Sequence, residues 1–286
     1  MHFPVMAEEA IELLAVRPEG VYVDATAGLG GHAGLIASRL TTGFVIASDR
    51  DDQSLEMAKR NTAEWAARIR FYRGTFETLP QMLAAEGIDK AHGLLADLGV
   101  SRYQLTAPER GFTFLTEGPL DMRMDQTTGT TAADLVNYTA EKALADLIFQ
   151  FGEERRARRI ARAIVRARPI RSTLHLADVV SRAAPRTNRL HPATKTFMAL
   201  RMAVNDEPGE LDKLLEIAPT LVASGGRIVV ISFMSTEDRK VKEKFRVLAR
   251  EARASILTKR PIQPSQEEVS RNPASRSAKL RALEMR

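Results

Sequence analysis

Over the first hundred residues, strand-like and helix-like stretches alternate, a rhythm that restricts the chain to folds in which helices cover both faces of a parallel sheet. Val21-Tyr22-Val23-Asp24 reads as a short buried strand that ends in a Gly-rich turn, with a helix through 35–40. A strand at 43–49, a helix at 51–65, a strand at 69–72 and a helix at 79–86 follow. Gly93-Leu94-Leu95-Ala96-Asp97 is the fourth strand. The rhythm then stops. From 105 to 205 no strand pattern occurs, only loops rich in Gly, Pro and Thr and helical patterns at 132–151, 153–167 and 194–204. It resumes after a helix at 210–222, where Gly225-Gly226 leads into a strand at 227–233. A helix at 241–250 and two further strands, at 255–257 and 278–283, complete the chain. The expected organisation is an α/β domain made of 1–104 and 206–286, interrupted by a helical domain at 105–205.

Charge is distributed unevenly along these parts. Residues 1–97 carry 9 basic and 14 acidic side chains, residues 98–206 carry 17 and 11, residues 207–238 carry 2 and 6, and residues 239–286 carry 14 and 5. One part repels polyanions and two attract them, which suits a small cationic ligand at one place and a nucleic acid at another. The strongest basic signal lies in the helical pattern 153–167. At about 100° per residue, Arg155, Arg158, Arg159, Arg162 and Arg166 fall on one face, with Ala157, Ile160, Ala161, Ile164 and Val165 opposite. Such a face either meets phosphate or is simply solvated, with local pairs to Glu153 and Glu154, and the pattern alone does not separate the two. There is no cysteine, which removes disulfides, thiolate metal sites and thiol nucleophiles. No metal-binding constellation, secretory signal or long apolar run is visible, so a cytoplasmic protein with no membrane or metal partner is expected.

The turn after the first strand, Asp24-Ala25-Thr26-Ala27-Gly28-Leu29-Gly30-Gly31-His32-Ala33, contains G-x-G-x-x-A, and Asp49 closes the next strand 21 residues beyond Gly28. This spacing fits a dinucleotide as well as any other adenosine ligand, because an acid at that strand end accepts from both ribose hydroxyls. Asp24 favours the second reading. A carboxylate where strand meets loop opposes a pyrophosphate but attracts an ammonium and a sulfonium, and S-adenosylmethionine carries both. Asp97, at the end of the fourth strand, opens onto the same crevice, or else caps the turn after it.

These segments, with others along the chain, resemble the ribosomal RNA small-subunit methyltransferase H family. The similarity is carried by His2-x-Pro4-Val5, Asp24-x-Thr26-x-Gly28-x-Gly30-Gly31-His32, Asp49-Arg50-Asp51, Asp97-Leu98-Gly99-Val100-Ser101 and Glu109-Arg110-Gly111-Phe112. It continues through Gly118 to Asp125, Gly152-Glu153-Glu154-Arg155, His191-Pro192-Ala193-Thr194, Gly225-Gly226-Arg227, Ile231-Ser232-Phe233, Glu237-Asp238-Arg239 and Ser275 to Arg281. The resemblance implies a class I S-adenosylmethionine-dependent methyltransferase, a Rossmann-like α/β fold with a seven-strand sheet and an inserted helical domain. It implies methylation of the N4 amine of a cytidine in the decoding region of 16S ribosomal RNA, within the assembled or nearly assembled small subunit. It also implies that Gly30, Gly31, His32, Asp49, Phe76, Asp97 and Gln104 line the cofactor site. On the residues alone, Phe76 reads as core and His32 as a loop histidine with a satisfied ring.

For that reaction Asp97 is the candidate catalytic residue, as an acceptor for the N4 hydrogens, although the Pro-Pro-aromatic sequence that many amino-methyltransferases place here is missing. The lack of cysteine turns the reading away from C5 of cytosine, whose methylation ordinarily runs through a cysteine adduct. Two departures from the family concern the substrate pocket. Met234 stands where an imidazole is common, and Arg102-Tyr103 and Thr106 stand where a small serine and an Asp are common. A non-catalytic ribosome-assembly factor that keeps cofactor binding is the rival reading, and a nicotinamide oxidoreductase a more distant one.

Overall fold

The structure is a computed structural model that describes residues 4–184 and 191–286. His2 therefore lies outside the described residues. In chain order the first stretch comprises α1 (Ala7–Leu14), β1 (Val21–Asp24), α2 (Gly31–Arg39), β2 (Phe44–Asp49), α3 (Asp52–Asn61), β3 (Ile69–Arg73), α4 (Leu79–Ala85) and β4 (Ala91–Asp97). A helical stretch follows, with α5 (Arg102–Thr106), α6 (Ala132–Tyr138), α7 (Glu141–Gly152), α8 (Ala157–Arg166), α9 (Thr173–Ala183) and α10 (Thr194–Val204). The last stretch holds α11 (Glu207–Leu221), β5 (Val222–Ser232), α12 (Ser235–Arg250), β6 (Ala254–Ile256), α13 (Gln266–Arg271) and β7 (Lys279–Met285).

One seven-stranded sheet runs in the order β3-β2-β1-β4-β5-β7-β6. The pairs from β3 across to β5 are parallel, and β7 is antiparallel to both of its neighbours. Successive strand residues point to opposite faces. Accordingly Val23, Ile46, Leu94, Val230 and Leu283 join one buried cluster, with α4, α11 and α12. Tyr22, Val45, Leu95, Val229 and Leu280 join another, with α1 and α2. Burial on both faces explains why the central strands read as apolar runs rather than as alternating ones. The chain order 3-2-1-4 places a reversal between β1 and β4, and the carboxyl ends of β1, β2 and β4 open beside it. A parallel sheet of this order, with β7 inserted antiparallel between β5 and β6, is the class I methyltransferase fold.

The chain separates into two compact units, Met1–Gly99 with Pro208–Arg286, and Val100–Glu207. The sequence reading drew these limits at 104/105 and 205/206. They move outward because Val100 packs against the apolar cluster of the second unit and Glu207 makes a two-bond pair with Arg201, at 2.7 and 2.8 Å. No strand occurs among the described residues of the second unit, whose core joins α6 to α10 through Val136, Leu144, Ile148, Ile160, Ile164, Leu176 and Leu200.

Two expected helices need correction. The pattern at 132–151 is broken between α6 and α7. Asn137 takes and gives hydrogen bonds with the backbone of Ile170 at 2.7 and 3.0 Å, and Arg168 donates to the carbonyls of Val136 and Thr139, so side chains rather than a further helical turn satisfy this end. The pattern at 153–167 begins only at Ala157, because Glu153 is left-handed (φ 49°) as the cap of α7 and Glu154 accepts from the Arg156 amide at 2.8 Å. Arg155 lies in that turn, not on the helix. A smaller difference is that α3 stops at Asn61, leaving Trp65 in a 3-10 turn.

Candidate functional site

The turn after β1 is tied to both neighbouring strands before any ligand is considered. The Ala25 amide donates to Leu95 at 2.9 Å, the Ala27 amide to Ser48 at 2.8 Å, and the Thr26 hydroxyl accepts from the Asp97 amide at 2.7 Å. Glycine is required at Gly30, where φ is +85° and a Cβ would lie 2.9 Å from the Thr62 methyl. At Gly31 a Cβ would stand 3.0 Å from Pro4, so this glycine is explained by packing. The backbone then enters α2 with no side-chain cap at its start.

Three acids expected to hold a cofactor, Asp24, Asp49 and Asp97, close β1, β2 and β4 on this edge of the sheet. Asp24 is fully buried. Its Oδ1 accepts from the Thr26 amide at 3.1 Å and its Oδ2 has no hydrogen-bond partner. Burial pushes its carboxyl up to about 7, the Thr26 amide acts against that shift, and the charge of Asp49 adds to it. Asp49 uses one oxygen for the Gly28 amide at 2.8 Å and the other for the Asp51 amide at 2.9 Å, which pins the glycine turn to β2. Each oxygen keeps a second lone pair. Burial raises this carboxyl to about 6, against the pull of the Asp51 and Gly28 amides.

Asp97 is raised well above the ordinary carboxylate range, first by burial and then by the charges of Asp24, Glu268 and Glu237. Its Oδ1 is buried without a hydrogen-bond partner. Its Oδ2 lies 3.8 Å from Nδ1 of His32, a side chain only 5% exposed. The other ring nitrogen of His32, Nε2, stands 3.0 Å from the Val5 carbonyl. Clustered acids with two orphaned buried oxygens are unfavourable alone and favourable around a cation. The donor set therefore fits the ammonium and sulfonium of S-adenosylmethionine and opposes a pyrophosphate.

Phe76 follows β3 and is half-buried against the core, which partly meets its reading as a core residue. Gln104 belongs to the second unit. It is buried at the third position of α5, where its Oε1 accepts from the Ser101 amide at 2.9 Å while its own amide donates to the Ser101 hydroxyl at 3.2 Å, a reciprocal cap. Of the five arginines, Arg158, Arg159, Arg162 and Arg166 are exposed on α8, and Arg155 is exposed in the turn before it. Ala157, Ile160, Ala161 and Ile164 are buried on the opposite side, while Val165 is only half-buried. Glu141 pairs with Arg162 at 3.4 Å.

Two acids in this region have no site role in the sequence reading, where Glu237 stands only within a family segment and Glu268 does not appear. Glu237 accepts from the amides of Phe233 and Met234, each at 3.0 Å, so the turn after β5 is held through its backbone and the departure at Met234 leaves it intact. Glu268 accepts from the Met6 amide at 2.7 Å across 262 residues of sequence, a distance no local pattern reveals. The Glu237-Asp238-Arg239 segment also proves structural, since Asp238 forms a buried pair with Arg281 of β7 at 2.6 Å. Among the described residues no group of His, Cys, Asp and Glu is arranged to hold a metal, and no helix is long and apolar enough to cross a membrane.

Residues 1–286 match the MraW methylase family. A protein of Solibacter usitatus (strain Ellin6076) named ribosomal RNA small subunit methyltransferase H is 74% identical over 286 residues, covering 100% of both chains. One of the same name from Koribacter versatilis (strain Ellin345) is 50% identical, covering 98% of this chain and 93% of its own. Among solved structures, that of PH0851 aligns with a TM-score of 0.51 at 13% identity, over 98% of this chain and 46% of the other, a likeness of fold alone.

Proposed function

This chain belongs to the MraW methylase family, and from that premise we propose that it methylates N4 of a cytidine in the decoding region of 16S ribosomal RNA. It is an S-adenosylmethionine-dependent methyltransferase of ribosomal RNA. The finer reading rests on one observation, the buried Oδ1 of Asp97 that lacks a hydrogen-bond partner at the end of β4. When bound, S-adenosylmethionine supplies a methyl group made electrophilic by its sulfonium. Asp24 and Asp49 would hold the cofactor, with Gly28, Gly30, Gly31, His32 and Phe76 around it.

The protein has little covalent chemistry to perform in such a displacement. It must align the nucleophile and stabilise charge. The N4 lone pair of cytosine is delocalised into the ring, so an acceptor that grips the N4 hydrogens lets the nitrogen pyramidalise toward the methyl. Asp97 is that acceptor. The arginine face of α8 binds the phosphates of the substrate, within a small subunit that is assembled or nearly so, in the cytoplasm. Exposed arginines opposite a buried apolar face support this assignment.

Nucleoside mass spectrometry of 16S ribosomal RNA from a strain lacking the gene, with and without its restoration, tests the reading. One N4-methylated cytidine should vanish and return. An unchanged nucleoside profile would remove the proposal, and loss of a different methylated base would keep the methyltransferase while discarding N4.

A further inference from the structure

His32 is held as a base rather than as a surface histidine. Its ring is buried, and because a carbonyl can only accept, the contact to Val5 requires that Nε2 carry a proton. In the neutral ring the lone pair is then on Nδ1, the atom that stands 3.8 Å from Oδ2 of Asp97. That separation is within ion-pair reach, and under about 1 Å of side-chain movement turns it into a hydrogen bond. Asp97 is in turn fixed from behind, where its amide donates to the Thr26 hydroxyl. Val5, His32 and Asp97 thus form a chain of polar groups ending at the unpartnered Oδ1.

We propose that His32 is a positioning and relay residue that takes from Asp97 the proton released by methyl transfer. The inference rests on the amine-methylation reading above. As the bond from N4 to the methyl carbon forms, the carbon–sulfur bond breaks and its electron pair stays with sulfur. The substituted nitrogen is left with one proton too many. That proton passes to the carboxylate of Asp97, the carboxyl group rotates, and Nδ1 of His32 accepts it, giving an imidazolium whose Nε2–H still donates to Val5. Asp97 regains its charge, and the imidazolium returns the proton to water through the partly exposed carboxylate once the product has left. An aspartate that kept the proton would stand neutral among Asp24, Glu237 and Glu268, whose charges already oppose its ionisation. An imidazolium at this distance offsets them.

Nitrogen NMR of the five histidines in the ligand-free chain gives a readout independent of turnover. His32 should appear as the Nε2–H tautomer, and Asp97→Asn should lower its titration midpoint by about one pH unit. His32→Gln retains an N–H donor for Val5 but removes the base. In this variant single-turnover methylation at saturating S-adenosylmethionine should fall tenfold or more and lose one inflection of its pH profile, a clearly larger loss than that of affinity for S-adenosylhomocysteine. An Nδ1–H tautomer, a midpoint indifferent to Asp97, or an affinity loss as large as the rate loss would each overturn the relay. Methylation found at another nitrogen would overturn the N4 assignment and leave the relay standing, because that transfer also releases a proton.

Discussion

The carboxyl edge of β1, β2 and β4 and the outer face of α8 present their charges in opposite ways. At the first, three acids are buried or nearly so, the carboxylates of Asp24 and Asp49 accept from backbone amides, and one oxygen each of Asp24 and Asp97 lacks a partner. At the second, four arginines project into solvent from a single helix, and Arg158, Arg159 and Arg166 have no ion-pair partner among the described residues. Even the pair of Arg162 with Glu141 is open to water, with side-chain exposures of 60% and 44%, and contributes little. Burial makes charge selective: a desolvated acid discriminates strongly between a cation and an anion at one position. Exposure makes charge additive, since screened arginines act on a polyanion through the number of phosphates they neutralise. On the proposed assignment, the small ligand is read by geometry and the large one by summed charge.

The comparison breaks most visibly at Asp49. Asp49→Ala removes the proposed ribose acceptors and also unpins Gly28 from β2, so S-adenosylhomocysteine affinity should fall by roughly a hundredfold or more, the size of losing two hydrogen bonds to a charged acceptor. RNA affinity should stay within twofold. Calorimetric titration of both ligands checks this, and parallel losses would show that the two regions are not separate.

Replacing Arg159, Arg162 and Arg166 together with Gln sharpens the other side. Glutamine preserves helix propensity, and the buried face of α8 is untouched, so the fold should survive. RNA affinity should drop roughly five- to tenfold near physiological salt, and the slope of log affinity against log salt should become shallower by about two to three. S-adenosylhomocysteine binding should not move. A folded variant with an unaltered slope would return this face to plain solvation and shift attention to the basic stretch 239–286.

The smallest effect concerns stability. A carboxyl raised to about 7 in the folded protein binds its proton more tightly there than in the unfolded chain, so Asp24 lowers stability progressively as pH rises from about 4 to about 7, above which the loss is constant. Asp24→Asn removes that charge. Without cofactor it should be more stable than the parent at pH 8 and nearly equal to it at pH 4, although it should bind cofactor poorly. Thermal melts at the two pH values decide this, and destabilisation at pH 8 would mean that Asp24 is paired rather than orphaned.

Periodicity determined much of this molecule by itself. The alternation of strand and helix in the first hundred residues, its interruption and its return are local consequences of side-chain spacing, and β1 to β4 lie within two residues of where the pattern puts them. The Gly-rich turn and the acids at three strand ends were legible for the same reason, since each is a short-range motif at a fixed place in a βα unit. Tertiary structure alone decided that β7 enters antiparallel between β5 and β6, because pairing direction depends on which edges meet and not on the sequence of either strand. It also decided that α8 starts two residues after Arg155, where a left-handed Glu153 and an amide bonded to Glu154 stop the turn from continuing. Burial turned the same kind of carboxylate into different groups. Asp24, Asp49 and Asp97 differ in their surroundings because Asp24 meets the local amide of Thr26, whereas Gly28 reaches Asp49 and His32 faces Asp97 from other parts of the chain, and Glu268 joins them from its far end. Desolvation and hydrogen bonding are sums over neighbours in space, and a sequence names the groups without saying which of them will be neighbours.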